Sequence, residues 1–405
     1  MDLKDRRNKH LGNADKFFYQ EPLHIVKGED VWLESSSGER YLDVYNNVAH
    51  IGHSNPIVVE AIAAQAATLN TNTRYIHENI IELAEEITAT FNNELEICYF
   101  CCSGSEANDL ALQIARAHTG QNGCLVTENA YHGNTTAVFQ MSPEDCPPEK
   151  KEEWIGLVGG PQKYLADKEK HISESLKTAE KIKNNGSAPA AFIADNIFSS
   201  EGIFSIPKGY LKNMYSLIRS FNGLAIADEV QSGFGRTGKY MWGFEHDKVV
   251  PDIVTLGKPM GNGHPIAAVV TTREIAKSFN SNHGYFNTFG GNPVSAAAGL
   301  AVIRFVNNNK LIEHAESVGK HFKKGLNSVA RRLSVIQEVR GSGLFIGVEL
   351  KSNRITSKAI EGLLSEGVLV GQTGPQNNVI KLRPPMTFKK EHADQVIKAI
   401  EKVLS

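Results

Sequence analysis

Between residues 95 and 300, short apolar runs alternate with longer stretches in which apolar side chains return at helical spacing. The runs at 97–101, 123–127, 190–194, 224–228, 252–256 and 266–271 are apolar at successive positions, as strands buried on both faces are. The stretches at 105–118, 210–221 and 293–305 predict amphipathic helices between them. This alternation implies an α/β fold with a mostly parallel sheet covered on both faces. Ligands of such sheets sit outside the carboxyl ends of the strands.

Past residue 305 the pattern changes. A long amphipathic helix at 308–332 leads to strands at 335–339 and 344–350, a helix near 355–366, a strand at 379–382 and a last helix at 389–404. This predicts a smaller α/β domain. Near the start, Ser35-Ser-Ser-Gly-Glu39 between two apolar runs is a hairpin signal. The expected division is an N-terminal segment, 1–45, packing with the small domain, a large domain, 46–305, and the small domain, 306–405. The stretch 143–187, rich in Lys, Glu and Pro, reads as an exposed excursion with one charged helix. Gly233-Phe-Gly-Arg-Thr-Gly238 reads as a flexible loop.

Composition removes whole classes of function. Apolar residues are 41% and charged residues 22% of the 405 positions, an ordinary globular mix. A net charge of −2 leaves no electrostatic footprint for nucleic acid or an anionic membrane. No apolar stretch approaches a membrane span. The first residues, with Asp2, Lys4, Asp5, Arg6 and Arg7, lack the apolar core of a secretory signal. The 5 cysteines, an odd and low count, argue against a disulfide scaffold. Cys98 and Cys101 have C-x-x-C spacing, but on a strand they face opposite sides, so no metal site is expected. The composition predicts a reducing, cytoplasmic setting.

The polar residues that interrupt the apolar pattern fall at predicted strand ends. Asp228 closes the run 224–228, and Lys258 follows the run 252–256 in a Gly-rich segment. A lysine amine and a carboxylate so placed are what pyridoxal 5′-phosphate (PLP) needs. The amine forms a Schiff base with the cofactor aldehyde, and the acid keeps the pyridine nitrogen protonated. Gln231, three residues past Asp228, can donate to the phenolic oxygen. Ser103-Gly-Ser-Glu-Ala-Asn108 opens a predicted helix, with Ser105 as its N-cap and free N–H groups suited to a phosphate. Tyr131, in Tyr131-His-Gly133, can stack on the ring, and Thr288 can offer a hydroxyl to the phosphate. Each segment alone is equally a capped helix or a turn.

Taken together and in order, these segments, with Ile51-Gly-His53 and Thr288-Phe-Gly-Gly-Asn292, resemble the class III aminotransferase family from about residue 20 to the C-terminus. The resemblance implies the type I PLP-dependent, aspartate aminotransferase-like fold: a large domain with a mostly parallel seven-stranded sheet, plus the smaller α/β domain. It implies that Lys258 is the Schiff-base lysine, Asp228 pairs with the pyridine nitrogen and Gln231 contacts O3′. Gly104 and Ser105 would hold the phosphate, Tyr131 would stack on the ring with His132 beside it, and Thr288 would reach the phosphate across a subunit interface. A homodimer with interface active sites follows, or dimers paired into a tetramer.

Two departures narrow the reading. Family transaminases bind the substrate carboxylate with an arginine in Ile-Arg-x-x-Pro-Pro. Here the segment is Val379-Ile-Lys-Leu-Arg-Pro-Pro385, with Lys381 at the arginine position and Arg383 two residues on, on the same strand face. Ser200 stands where a glutamate usually pairs with that arginine, and Glu201 is one residue out of register. This pattern resembles the ethanolamine-phosphate and phosphohydroxylysine phospho-lyases of the family. It implies elimination of phosphate from a phosphorylated amino alcohol, giving aldehyde, ammonia and phosphate. Tyr19, Lys27 and Arg74 are the candidates for holding the substrate phosphate, beside Lys381 and Arg383. The alternative is an ω-aminotransferase that moves an amino group from an amine or amino acid to a keto acid, with Arg383 filling the carboxylate site.

Overall fold

The computed structural model describes residues 2–11, 17–91 and 95–405. Near the N-terminus, β1 (Ile25–Glu29), β2 (Trp32–Ser35) and β3 (Arg40–Asp43) form an antiparallel meander. The strands β4 (Ile97–Cys101), β5 (Gly123–Thr127), β6 (Ile155–Val158), β7 (Pro189–Asp195), β8 (Leu224–Asp228), β9 (Ile253–Leu256) and β10 (Ala267–Thr271) follow. They make a seven-stranded sheet in the order β4-β10-β9-β8-β7-β5-β6. Only β10 in this sheet is antiparallel to its neighbours. After the long helix Leu311–Ala330 come β11 (Ile336–Ser342), β12 (Phe345–Leu350), β13 (Val368–Leu369), β14 (Gly371–Thr373) and β15 (Val379–Leu382). The third sheet runs β11-β12-β15-β14, while β13 turns back and pairs in parallel with β3.

The central strands are buried on both faces, which is why they read as unbroken apolar runs. Alternate residues serve two cores. Val126, Ile193, Ile226 and Val269 pack under the helices Gly104–Thr119 and Arg273–Asn282. Leu125, Phe192, Ala225 and Val254 join the larger core on the opposite face.

Two expectations are corrected. The stretch 143–187 is not simply an excursion, because β6 lies inside it and closes one edge of the central sheet against β5. Gly156 permits the close packing there, since a Cβ would stand 2.5 Å from Leu125 Cδ2. The loop 233–238 is buried rather than flexible. Arg236 is wholly enclosed, donates to the carbonyls of Leu344 and Pro384, and lies 3.1 Å from His50 Nδ1.

The central and third sheets meet at the turn that follows β7. Thr373 Oγ1 donates to the Ser199 carbonyl at 2.8 Å, and Arg340 Nε donates to the Gly202 carbonyl at 2.8 Å. That turn begins at Asp195, at the carboxyl rim of the central sheet.

Candidate active site

Parallel strands deliver their ends to one rim. The carboxyl ends of β4, β5, β7, β8 and β9 lead to Gly104–Ser105, Tyr131, Asp195, Asp228 and Lys258 respectively. Asp228 is buried and held by three partners. Asn108 Nδ2 donates to its Oδ2 at 2.9 Å, His132 Nδ1 lies 2.7 Å from the same oxygen, and the Val230 N–H donates to Oδ1 at 3.0 Å. Asn108 also donates to the His132 carbonyl at 2.7 Å, so one helix, one loop and one strand converge on this carboxylate.

Lys258 makes no hydrogen bond or ion pair among the described residues. Burial, and next the charge of Arg383, lower the pKa of its amine; Asp228, Asp195 and Glu144 oppose the shift. Asp195 stands in register with Asp228 and accepts the N–H groups of Ile197 at 3.1 Å and Ser199 at 2.8 Å. Burial, followed by the Asp228 charge, pushes its carboxyl up.

The N-cap of the helix after β4 lies two residues earlier than expected. Ser103, not Ser105, is the N-cap. Its Oγ accepts the Glu106 N–H at 3.2 Å, and Glu106 Oε2 accepts the Ser103 N–H at 3.0 Å. This capping box leaves Gly104 and Ser105 in the first turn, where N–H groups point out of the helix. Ser105 Oγ accepts the Asn134 N–H at 3.2 Å. Val230 fits between two glycines: a Cβ on Gly104 would come within 2.7 Å of it, and one on Gly257 within 3.0 Å. Tyr131 is half-buried, and burial raises the pKa of its phenol.

These residues fit PLP. A helix start supplies unshared N–H groups for a phosphate. A carboxylate with acceptor capacity to spare, two residues before Val230, and an amine with no hydrogen-bond partner among the described residues, next to the Gly257 that packs on Val230, stand at the ends of adjacent strands. Asn108 Oδ1, His132 Nε2 and Thr255 Oγ1 are buried without partners at the same rim.

The third sheet adds the cations. Lys381 on β15 is 8% exposed and has no hydrogen bond or ion pair among the described residues. Burial, then Arg383, bring its pKa down to about 7, against the pull of Glu144 and Asp195. Arg383 is differently placed. Its Nε donates to the Tyr45 carbonyl at 2.9 Å, its Nη1 donates to Gln231 Oε1, and its guanidinium lies 4.5 Å from the Tyr45 ring centroid. Gln231 Nε2 in turn reaches Ser199 Oγ at 2.6 Å.

Ser200 donates to Glu144 Oε2 at 2.6 Å, which brings in a carboxylate that the sequence did not single out. Glu201 is turned elsewhere: it is buried, accepts Asn129 Nδ2 at 2.8 Å and lies against Gly160. Neither Ser200 nor Glu201 pairs with Lys381 or Arg383.

The candidate phosphate ligands scatter. The Tyr19 hydroxyl donates to the Val370 carbonyl at 3.1 Å and accepts the Val370 N–H at 3.2 Å, so its polar capacity is committed to the strand region before β14. Lys27 is not gathered into the cluster. It stands exposed on the edge strand β1, 3.6 Å from Glu29, because no partner buries that edge in the single chain. Arg74 is exposed, with its guanidinium 3.9 Å from the Phe286 ring centroid. Thr288 is exposed in the same loop, which packs on the end of β4 through Gly290. Among residues without an assigned role, Asn108 carried a signal: it is the polar residue on the inner face of an amphipathic helix. Glu144 carried none.

The family model for class III aminotransferases matches residues 17–404. A Drosophila melanogaster protein called alanine–glyoxylate aminotransferase 2-like is 40% identical over 98% of this chain and 86% of its own. The Caenorhabditis elegans ethanolamine-phosphate phospho-lyase homolog 1 is 35% identical over 100% of this chain and 93% of its own. Among solved structures, a phospholyase from Arthrobacter in complex with phosphoethanolamine superposes with a TM-score of 0.96 at 40% identity, covering 100% of this chain and 99% of the other. The chain belongs to the class III aminotransferase family of PLP-dependent enzymes.

Proposed function

We propose that this enzyme is a phospho-lyase that removes phosphate from a phosphorylated amino alcohol of the phosphoethanolamine type. The observation that carries the reading is the split between Lys381 and Arg383. The guanidinium that a carboxylate would need for a two-point contact is committed through Nε and Nη1 to Tyr45 and Gln231. Lys381, a buried cation without a partner, is left to meet the substrate anion, and an ammonium point charge suits phosphate. The Arthrobacter phospholyase with phosphoethanolamine and the nematode phospho-lyase homolog support the same choice.

Bound PLP supplies an electron sink for the carbon that bears the substrate nitrogen. The chain supplies the rest. The Asp228 carboxylate, fixed by Asn108 and His132, would hold a proton on the ring nitrogen of bound PLP. Lys258, whose basicity is lowered by burial and by Arg383, is the amine placed to take the proton from that carbon. Lys381 holds the phosphate, which departs with the C–O bonding pair. Water then hydrolyses the remaining enamine to aldehyde and ammonia. The reading gives equimolar phosphate, ammonia and acetaldehyde from O-phosphoethanolamine without any keto acid, and none from Lys258→Ala. Turnover that instead requires pyruvate, with no phosphate formed, would establish the transaminase. The Drosophila relative's aminotransferase name favours that second reading.

We also propose that the active unit is a homodimer. Tyr75, Ile76, Phe286 and Phe289 are exposed, and Arg74, next to Tyr75 in the chain, lies over the Phe286 ring, which brings the two loops together. Thr288 is exposed in the same loop, between Phe286 and Phe289, so a dimer formed there would be consistent with the cross-subunit phosphate contact that the family resemblance implies.

A further inference from the structure

Gln231 is held in a chain of hydrogen bonds with one polarity. Arg383 Nη1 donates to Gln231 Oε1, and Gln231 Nε2 donates to Ser199 Oγ at 2.6 Å. Ser199 in turn donates its N–H to Asp195 Oδ2 at 2.8 Å. The chain therefore begins at a cation on the third sheet and ends at a carboxylate on the central sheet. Arg383 has donors only, so the carboxamide can stand in one orientation: oxygen toward Arg383, NH2 toward Ser199. With Oε1 occupied and one Nε2–H given to Ser199, the polar capacity left for a ligand is mainly the second Nε2–H. In the flipped orientation Gln231 would aim its NH2 at a guanidinium and offer the ligand an acceptor.

We propose that Arg383 is a positioning residue of the cofactor site rather than a substrate ligand: it fixes the Gln231 carboxamide as a hydrogen-bond donor toward the phenolic oxygen of PLP. The position beside Lys381, where the sequence suggests a replacement carboxylate clamp, thereby serves the ring and not the substrate. The commitment of Arg383 to Gln231 is shared with the lyase reading, but the readouts here, the visible band and PLP affinity, are distinct from the phosphate release that tests that reading. The charged and titratable groups that face this corner are Asp43 at the end of β3, Tyr45 just beyond it, Asp195 and Asp228 from β7 and β8, Arg236 from the loop after β8, Lys258 after β9, Lys381 from β15 and Glu144 from the loop tied to Ser200. Of these, only the Asp195 end belongs to the Gln231 relay.

The test uses the PLP-loaded protein and follows its visible absorption band against pH, together with PLP affinity measured on apoprotein. Arg383→Met frees the carboxamide and removes a positive charge near the ring oxygen, so the pH midpoint of the band rises by about one unit or more. PLP binding weakens, while Arg383→Lys, which retains a donor and a charge, restores part of both. Gln231→Leu moves the midpoint in the same direction. Combining Arg383→Lys with Gln231→Leu adds nothing further, because one residue acts through the other. Additive shifts in that cycle would overturn the proposal, and the cycle decides the matter even where Arg383→Met fails to fold. An unmoved band in Arg383→Met with a raised substrate KM would overturn it equally, by making Arg383 a substrate ligand.

Discussion

At the scale of single residues, the decisive feature is a lysine where an arginine would be expected. A guanidinium stays charged at every physiological pH, whereas a buried ammonium does not. Lys381 has a pKa near 7, lowered by burial and by Arg383. Its ammonium is therefore present below that value and is lost as pH rises through it. On the proposed lyase reading the substrate phosphate meets the charged form, so kcat/KM for a phosphorylated amine should fall above pH 7, by up to about tenfold per unit. Lys381→Arg should abolish this fall, and Lys381→Met should lower kcat/KM by roughly a hundredfold at pH 6.5, the scale of one charged hydrogen bond. Steady-state pH profiles of the three proteins decide the point; a wild-type profile flat to pH 9 would contradict it. The sequence made Lys258 and Asp228 legible because each stands at or just past the end of an apolar run, Gln231 through its spacing from Asp228, and Lys381 because it departs from the family's arginine. It could not disclose Glu144, whose place depends on a loop reaching Ser200 from 56 residues away. Nor could it show that Arg383 is tied to Gln231, since nothing local marks which donors of a guanidinium are taken.

At the scale of elements, the capping box at Ser103 is what aims the helix Gly104–Thr119. Ser103 donates nothing to the chemistry directly. It fixes the first turn so that Gly104 and Ser105 face the rim, and it anchors the helix that carries Asn108 to Asp228. Ser103→Ala should cost about 1 kcal/mol of stability, readable in denaturant unfolding of the apoprotein. It should also weaken PLP binding, whereas Ser103→Thr should do neither. An unchanged PLP affinity in the alanine variant would separate the cap from the phosphate site. Elements buried on both faces could be read from their apolar runs, and six of the seven central strands were. The seventh, β6, was hidden because Ile155–Val158 is a short edge strand within a Lys- and Glu-rich stretch. The N-cap was misplaced for a related reason: Ser103 and Ser105 offer the same side chain, and only the Glu106 carboxylate folding back to Ser103 tells them apart.

At the scale of the whole molecule, the site exists because two sheets meet at one turn. The central sheet supplies Asp228 and Lys258, the third sheet supplies Lys381 and Arg383, and the turn after β7 binds them together. Arg340 is the main fastening. It is buried, donates to Gly202, pairs with Glu338 at 2.9 Å and with Glu349, and lies 4.1 Å from the Phe204 ring centroid. Arg340→Met leaves Glu349 without its closest cation and should destabilise the protein by roughly 3 kcal/mol. Because the turn carries Ser199 and Asp195, PLP affinity should fall as well; a variant with unaltered unfolding midpoint would show the fastening to be dispensable. This junction was the least legible part of the chain. Partners such as Ser199 and Thr373, or Gly202 and Arg340, lie more than a hundred residues apart, and no periodic pattern links them. The resemblance to a known family gave the arrangement in outline, while the particular bonds required the fold.

The most direct measurement counts the phosphate released per active site when the PLP-loaded protein meets excess O-phosphoethanolamine with no keto acid present. A lyase regains its cofactor after every cycle, so phosphate should exceed active sites many-fold while the visible band persists. At most one turnover per site, with the visible band bleached and recovered only on adding pyruvate, would contradict the lyase and establish a transaminase.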